Sequence, residues 1–356
     1  MKAVVLRKPN DLAVLDVPEP EIGPNMALVR MTHCGICGSD IRYLRGDNPW
    51  AKQTLGEKRE NPTNIILGHE AVGVVVEVGG DCDPHLIGKR AALLSFGTCG
   101  ECFYCRRGEE HLCPNTQHLG HGAGWGESDY YYGGMAEYVS ILAGWLSPLA
   151  DSVSSEAAAL LDPLGVAVHG LTVGGLSDGD TVLIIGGGPV GALAAAVAKA
   201  KGAGKVALVD VSERVLDIAR RMGADDVMPP DALDASALAF RAEASGLDAR
   251  VILDTVGADL NQYLPHLARG GRYVMMTVTD RPQTIRTISL AGERSISSSC
   301  NFQYPDYSEA LWLVETGAVD PTPIITHRFA LEDAVEAFRV AEDKASSGAV
   351  KVLLEH

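Results

Sequence analysis

Thr181-Val182-Leu183-Ile184-Ile185 runs without a break into Gly186-Gly187-Gly188-Pro189-Val190-Gly191. The first five residues, apolar and largely β-branched, read as a buried strand, and the alanine-rich stretch Gly191–Lys201 reads as a helix. Gly186, Gly188 and Gly191 match G-x-G-x-x-G in the strand–turn–helix context that the motif needs. The first glycine permits the tight turn, the second lets backbone approach a pyrophosphate, and the third lets helix pack on strand. Pro189 and Val190 open the helix N-terminus that faces the phosphates. Asp210, 24 residues after Gly186, ends the next strand, Lys205–Asp210. A carboxylate there bonds both ribose hydroxyls and repels a 2′-phosphate, so NAD is expected over NADP. Arg214 could soften that preference, although a cation at this place more often faces solvent.

The alternation continues outward. Ser212–Met222 reads as a helix, and Arg250–Asp254 and Arg272–Val278 as strands, which together predict a parallel, doubly wound sheet. Upstream, short runs such as Ala3–Leu6, Ala27–Met31 and Ala71–Val78, bounded by Pro, Gly and Asn, read as β-rich structure. The texture changes near Ser152, and Ser154-Ser155-Glu156 looks like a capped helix start. After Ile288 it becomes mixed again, with a helix at Leu331–Glu342 and a strand at Ala349–Leu354. Residues 152–288 are therefore expected to form a nucleotide-binding domain inserted between two pieces, 1–151 and 289–356, of one outer domain.

Bulk properties bound the function. The 356 residues, 46% hydrophobic and 21% charged, suit two domains with cores of their own and exclude general disorder. Lys+Arg is 30 against Asp+Glu 46, a formal charge of -16, which disfavours nucleic acid and anionic membrane surfaces as partners. No apolar run is long enough for a membrane span. The opening Met1–Arg7 lacks a signal-peptide core, so a cytoplasmic protein with reduced thiols is expected.

Four of the eight cysteines fall within fifteen positions: Cys99-x-x-Cys102-x-x-Cys105-x7-Cys113. Four thiolates close a tetrahedron around Zn²⁺ and leave no open position, which makes the site structural; iron is chemically allowed but ranks below zinc. Elsewhere Cys34-Gly-Ile-Cys37-Gly-Ser39-Asp40 and Gly68-His69-Glu70 could supply a Cys and a His to an open zinc site. On the residues alone, a lone histidine is more often a hydrogen-bonded core residue, and Cys-x-x-Cys alone could be a redox pair.

These pieces, in this order and at these separations, strongly resemble the zinc-dependent medium-chain alcohol and polyol dehydrogenases, in the branch of sorbitol, butanediol and threonine dehydrogenases. The resemblance spans essentially the whole chain. It implies a GroES-like catalytic domain from both chain ends with a Rossmann domain between, two zinc ions per chain, NAD, and a homodimer or homotetramer. Cys37 and His69 would ligate the catalytic zinc, with Glu70 as the neighbouring carboxylate that ligates or exchanges with water. Asp162, in Leu161-Asp162-Pro163-Leu164, sits where relatives carry an acid or Cys near the metal, and equally reads as a helix cap before proline. Asp40 would orient a ligand, and Cys34 would be a small core residue. Zinc would polarise an alcohol oxygen, Ser39 would take part in removing its proton, and hydride would pass to the nicotinamide.

The chain departs from the pattern at Arg42, where many relatives carry a proton-relaying histidine; arginine stays charged and cannot shuttle a proton. It could instead hold a cofactor phosphate or an anionic substrate, or simply face solvent. Two long loops, Gly46–Ile66 with Trp50 and Thr116–Gly134 with His118, His121, Trp125 and Tyr130–Tyr132, could wall a pocket for a substrate larger than ethanol. The expected activity is NAD-linked oxidation of a secondary alcohol or polyol. Oxidation of an amino alcohol, as by an L-threonine 3-dehydrogenase, and a non-catalytic nucleotide-binding role are the alternatives.

Overall fold

A computed structural model describes residues 1–233, 249–277, 279 and 281–356. The chain divides into two compact units, Met1–Asp162 with Ile325–His356, and Pro163–Ile324.

In the second unit six strands form one parallel sheet. Their spatial order is Asp226–Met228, Lys205–Val209, Thr181–Ile185, Ala249–Asp254, Leu267–Met275 and Ser295–Ser298. This order, with the first strand of the unit, Thr181–Ile185, central and the direction of winding reversing beside it, creates the crevice in which such sheets bind nucleotides. Thr181–Ile185 is apolar on both faces because both are covered: all five residues are buried. At ~1.5–3 kcal/mol for each large apolar side chain removed from water, that strand is a main source of this unit's stability. Helix Pro189–Ala200 follows the glycine turn, and Glu213–Arg221 follows Ser212. Of the expected strand Arg272–Val278, the sheet contains the part up to Met275, and Val278 lies outside the described residues.

The first unit is β-rich. A seven-stranded sheet has Met26–Ile36 at its centre, paired with Glu70–Val78, Tyr138–Leu142 and the last strand, Lys351–Glu355. Val352, Leu353 and Leu354 lie opposite Ile36, Gly35 and Cys34, which joins the two ends of the chain in one sheet. A three-stranded sheet, Asp11–Asp16, Lys2–Lys8 and Ile65–Ile66, completes the β framework. Ser154 caps helix Ser155–Ala158, its side chain accepting the Ala157 N–H at 3.1 Å.

Both unit boundaries fall later than the expected residues 151/152 and 288/289. Helix Ser155–Ala158 packs on strands of the first unit, which keeps residues up to Asp162 there. Strand Ser295–Ser298 pairs with Leu267–Met275, and helix Tyr304–Glu315 is tied to helix Leu161–Gly174 by a 2.7 Å His169–Asp306 contact. The mixed texture after Ile288 therefore marks the edge of the parallel sheet, and the return comes at Ile325. No helix among the described residues is long and apolar enough to cross a membrane.

Candidate active site and metal centres

The glycine turn lies between strand Thr181–Ile185 and helix Pro189–Ala200. Gly191 must be glycine for space: a Cβ there would strike the Gly186 carbonyl oxygen. Gly188 faces open space, and as N-cap it brings no side chain to the helix N-terminus. Uncapped N–H groups beside an open surface fit a pyrophosphate. Asp210 is anchored at this turn, one carboxylate oxygen accepting the Gly187 N–H and the other the Ser212 N–H, each at 2.8 Å. Arg214 is exposed.

Cys99, Cys102, Cys105 and Cys113 converge with all four sulfurs within 4.8 Å of one another. The sulfur–sulfur contacts are 3.5 Å for Cys102–Cys105 and Cys99–Cys113, and 4.0 Å for Cys99–Cys105. A tetrahedron of Zn–S bonds of ~2.3 Å requires sulfurs about 3.8 Å apart, so the lobe fits zinc. Backbone N–H groups of Glu101 and Cys102 pull the Cys99 thiol down to about 6, toward the thiolate a metal needs. Burial pushes the Cys113 thiol up to about 12, the opposing tendency that a bound cation would reverse.

The second cluster joins residues far apart in the chain. Cys37 precedes the short helix Gly38–Leu44, and its N–H donates to Asp40 Oδ2 at 2.8 Å. His69 and Glu70 lie where strand Glu70–Val78 begins, opposite Gly35. Donor atoms of Cys37, His69 and Glu70 lie within 4.8 Å of one another, as do those of Asp40, His69 and His121. His69 Nδ1 stands 3.7 Å from Asp40 Oδ1, and neither atom has a hydrogen-bond partner. Burial opposes charge on His69, but Asp40 and Cys37 outweigh it and its pKa rises well above the ordinary value. A pocket that favours a proton so strongly favours other cations, and a Cys/His/carboxylate donor set suits zinc. Ser39 Oγ, on the same short helix, is buried without a partner.

Asp162 is outside the Cys37–His69–Glu70 group. It is the second residue of helix Leu161–Gly174, inside the first turn and not its cap. Burial, against a hydrogen bond from Ser95 and the charge of His69, raises its carboxyl above the usual range. Arg42 is held by Asp47 through contacts of 2.7 and 2.8 Å. Cys34 is fully buried, and burial raises its thiol well above the usual value, as suits a core residue.

Lys351 was missed in the sequence, and His121 was read there only as a loop aromatic that could wall a pocket. Lys351 is 2% exposed and donates to both oxygens of Glu70, at 2.7 and 2.6 Å, and to the Ile36 carbonyl at 3.1 Å. His121 stacks on Tyr43 with ring centroids 4.6 Å apart and meets His69 edge-on at 4.6 Å.

Comparison with known proteins agrees with this geometry. Residues 23–151 match the alcohol dehydrogenase GroES-like domain, and residues 189–316 match the zinc-binding dehydrogenase model. The L-threonine 3-dehydrogenase of Photorhabdus laumondii is 32% identical over 99% of both chains. An alcohol dehydrogenase from E. coli CFT073, solved with NADH, superposes with a TM-score of 0.87 at 26% identity, covering 100% of this chain and 99% of that one. A zinc-binding dehydrogenase from Sinorhizobium meliloti 1021, bound to NADP, gives the same TM-score at 28% identity and the same coverage. The chain belongs to the zinc-dependent medium-chain dehydrogenase/reductase family.

Proposed function

We propose that this protein oxidises a secondary alcohol or polyol to the carbonyl compound, reversibly, with NAD as hydride acceptor and two zinc ions per chain. The observation that carries the reading is the convergence of Cys37, His69 and Glu70 within 4.8 Å, beside a Ser39 Oγ with no partner of its own. Bound there, zinc supplies a Lewis acid that lowers the pKa of an alcohol hydroxyl. Ser39 accepts the hydrogen bond of the substrate hydroxyl and, as it takes that proton, releases its own. Arg42, charged and paired with Asp47, cannot pass that proton on, so water receives it. Asp40 fixes the Cys37 backbone and faces His69, and Lys351 holds the Glu70 carboxylate. The Cys99–Cys113 lobe holds the second, structural zinc. Asp210, fixed by two N–H donors, places negative charge where a 2′-phosphate would sit, which supports NAD over NADP.

The curated relatives supply a second reading: threonine 3-dehydrogenases at 30–33% identity over nearly the whole chain favour an amino alcohol as substrate. The open sheet edge at Ser295–Ser298 and the exposed Ile288 support a homodimer or homotetramer. The absence of disulfides among the described residues suits a reducing, cytoplasmic setting.

One experiment tests the core of this. Reduction of NAD and of NADP is followed across polyols, secondary alcohols and L-threonine, with zinc counted in the same preparation. Turnover of at least one alcohol with NAD, at two zinc ions per chain, is expected. No turnover on any compound would favour a nucleotide-binding protein without activity, and preference for NADP would overturn the role of Asp210.

A further inference from the structure

Strand Lys351–Glu355 brings a buried cation to the Cys37–His69–Glu70 cluster. Lys351 is 2% exposed and Glu70 1%, and the ammonium donates to both carboxylate oxygens, at 2.6 and 2.7 Å. Its third contact is the Ile36 carbonyl at 3.1 Å, so all three N–H donors are used. The seat of the carboxylate is shaped for it. Gly35 lies opposite Glu70 in one strand pair and opposite Leu353 in the other, and a Cβ there would strike Glu70 Oε2. Glu70 nevertheless keeps an oxygen within 4.8 Å of the Cys37 and His69 donor atoms. It stands between two claims, an ammonium that belongs to the fold and a metal ion that comes from solution.

Each carboxylate oxygen has two lone pairs, so Glu70 can reach a metal with Lys351 in place. To commit to the metal fully, it would have to leave Lys351 with the Ile36 carbonyl alone. A buried charge without a counter-ion is strongly disfavoured, so the pair opposes Glu70 as a permanent ligand. Cys37 and His69 with a loosely held carboxylate leave room for a substrate oxygen, as an open zinc site requires. We propose that Lys351 is a positioning residue that keeps Glu70 an exchangeable ligand, which the substrate hydroxyl can displace; without Lys351, Glu70 closes the coordination shell. The proposal rests on the reading that Cys37, His69 and Glu70 hold zinc. A lysine that only stabilised the fold would give the opposite sign: its loss would loosen the site, and the metal would leave faster.

The test follows zinc leaving the full, zinc-loaded protein in an excess of a chromogenic chelator. The ion of the Cys99–Cys113 lobe is the internal reference, and Cys37→Ala identifies the phase that belongs to the other site. Lys351→Met should slow that phase about 10–100-fold, the range over which residues supporting a metal ligand act. In the cobalt(II)-substituted protein, the same variant should bind imidazole, a probe of the open position, about tenfold more weakly by visible absorption. Adding Glu70→Gln should abolish both effects and return release to within about threefold of wild type, because replacing a whole buried pair is often neutral. Release from Lys351→Met that is unchanged or faster would overturn the proposal. Should that variant not fold, the double variant decides: release more than about tenfold faster than wild type would mean that Glu70 already ligates permanently, and would overturn it too. A wild type that takes up zinc in the lobe alone would overturn this proposal and the zinc reading together, an outcome distinct from the others.

Discussion

Two buried aspartates, one in each unit, are treated in opposite ways. Asp254, 1% exposed at the end of a central strand of the parallel sheet, accepts N–H bonds from Val256, Gly257 and Ala258 at 2.8–3.0 Å and the Tyr273 hydroxyl at 2.9 Å. Asp40, fully buried in the β-rich unit, has one oxygen satisfied by the Cys37 N–H and the other left facing His69. The first carboxylate completes its own turn and needs nothing more. The second is short of partners, as are Ser39, His69, His118 and His121 around it. Buried polar groups are normally paired, so a group of exceptions in one place marks where the fold gives up stability to receive something else.

The Lys351–Glu70 pair gives the largest test of that contrast, because it is a fully satisfied pair inside the undersatisfied region. Removing one partner of a buried ion pair leaves the other charge uncompensated, at a cost of ~3–5 kcal/mol. Lys351→Met should therefore lower unfolding stability by about that amount in denaturant titration, and adding Glu70→Gln should recover much of it. A much smaller loss in the metal-loaded protein would mean that Glu70 has a second cation to lean on.

The aspartates themselves come next. Asp254→Asn presents an amide to backbone N–H donors and should cost about 2–3 kcal/mol of stability. Asp40→Asn removes a buried charge whose carboxyl burial already raises above the usual range. It should change stability by less than ~1 kcal/mol while weakening metal retention about 10–100-fold, as loss of a residue supporting a metal ligand does. Denaturant curves and zinc retention against a competing chelator separate the two. A swap of these outcomes would break the comparison.

How much of this could be read from sequence follows the same division. The glycine turn with Asp210 and the four-cysteine lobe are local: their chemistry lies within a few dozen consecutive residues, and spacing alone states the geometry. Cys37, His69 and Glu70 were legible as a set only through resemblance, because strand pairing, not spacing, brings them together. Lys351 was invisible. In Ala349-Val350-Lys351-Val352 a lysine reads as an outward-facing residue, and only the antiparallel pairing of the last strand with Met26–Ile36 directs it to Glu70. His121 looked like a loop aromatic because what marks it, two nitrogens without partners, is a property of packing. The boundary at 289 failed because the edge strand Ser295–Ser298 is serine-rich and half-exposed, lacking the apolar run of an inner strand.

The last expected effect lies in the parallel-sheet unit, where a paired carboxylate should reveal itself by pH alone. Asp306, 5% exposed, meets His169 Nδ1 at 2.7 Å and accepts from the Gln303 N–H at 2.9 Å and the Thr172 hydroxyl at 3.2 Å. Burial works to raise its carboxyl, but the His169 and Gln303 contacts prevail and its pKa is lowered. A folded-state value below the unfolded one, ~3.9, means that the unfolded chain binds the proton more readily. The stabilisation is thus full above the unfolded pKa and is lost as pH falls through the folded value. Asp306→Asn should cost about 1–2 kcal/mol at pH 7, and the gap between variant and wild type should narrow below about pH 4. Thermal unfolding of both proteins between pH 3 and pH 7 measures it, and a gap that stays constant with pH would show that packing, and not the charge on Asp306, holds these two helices together.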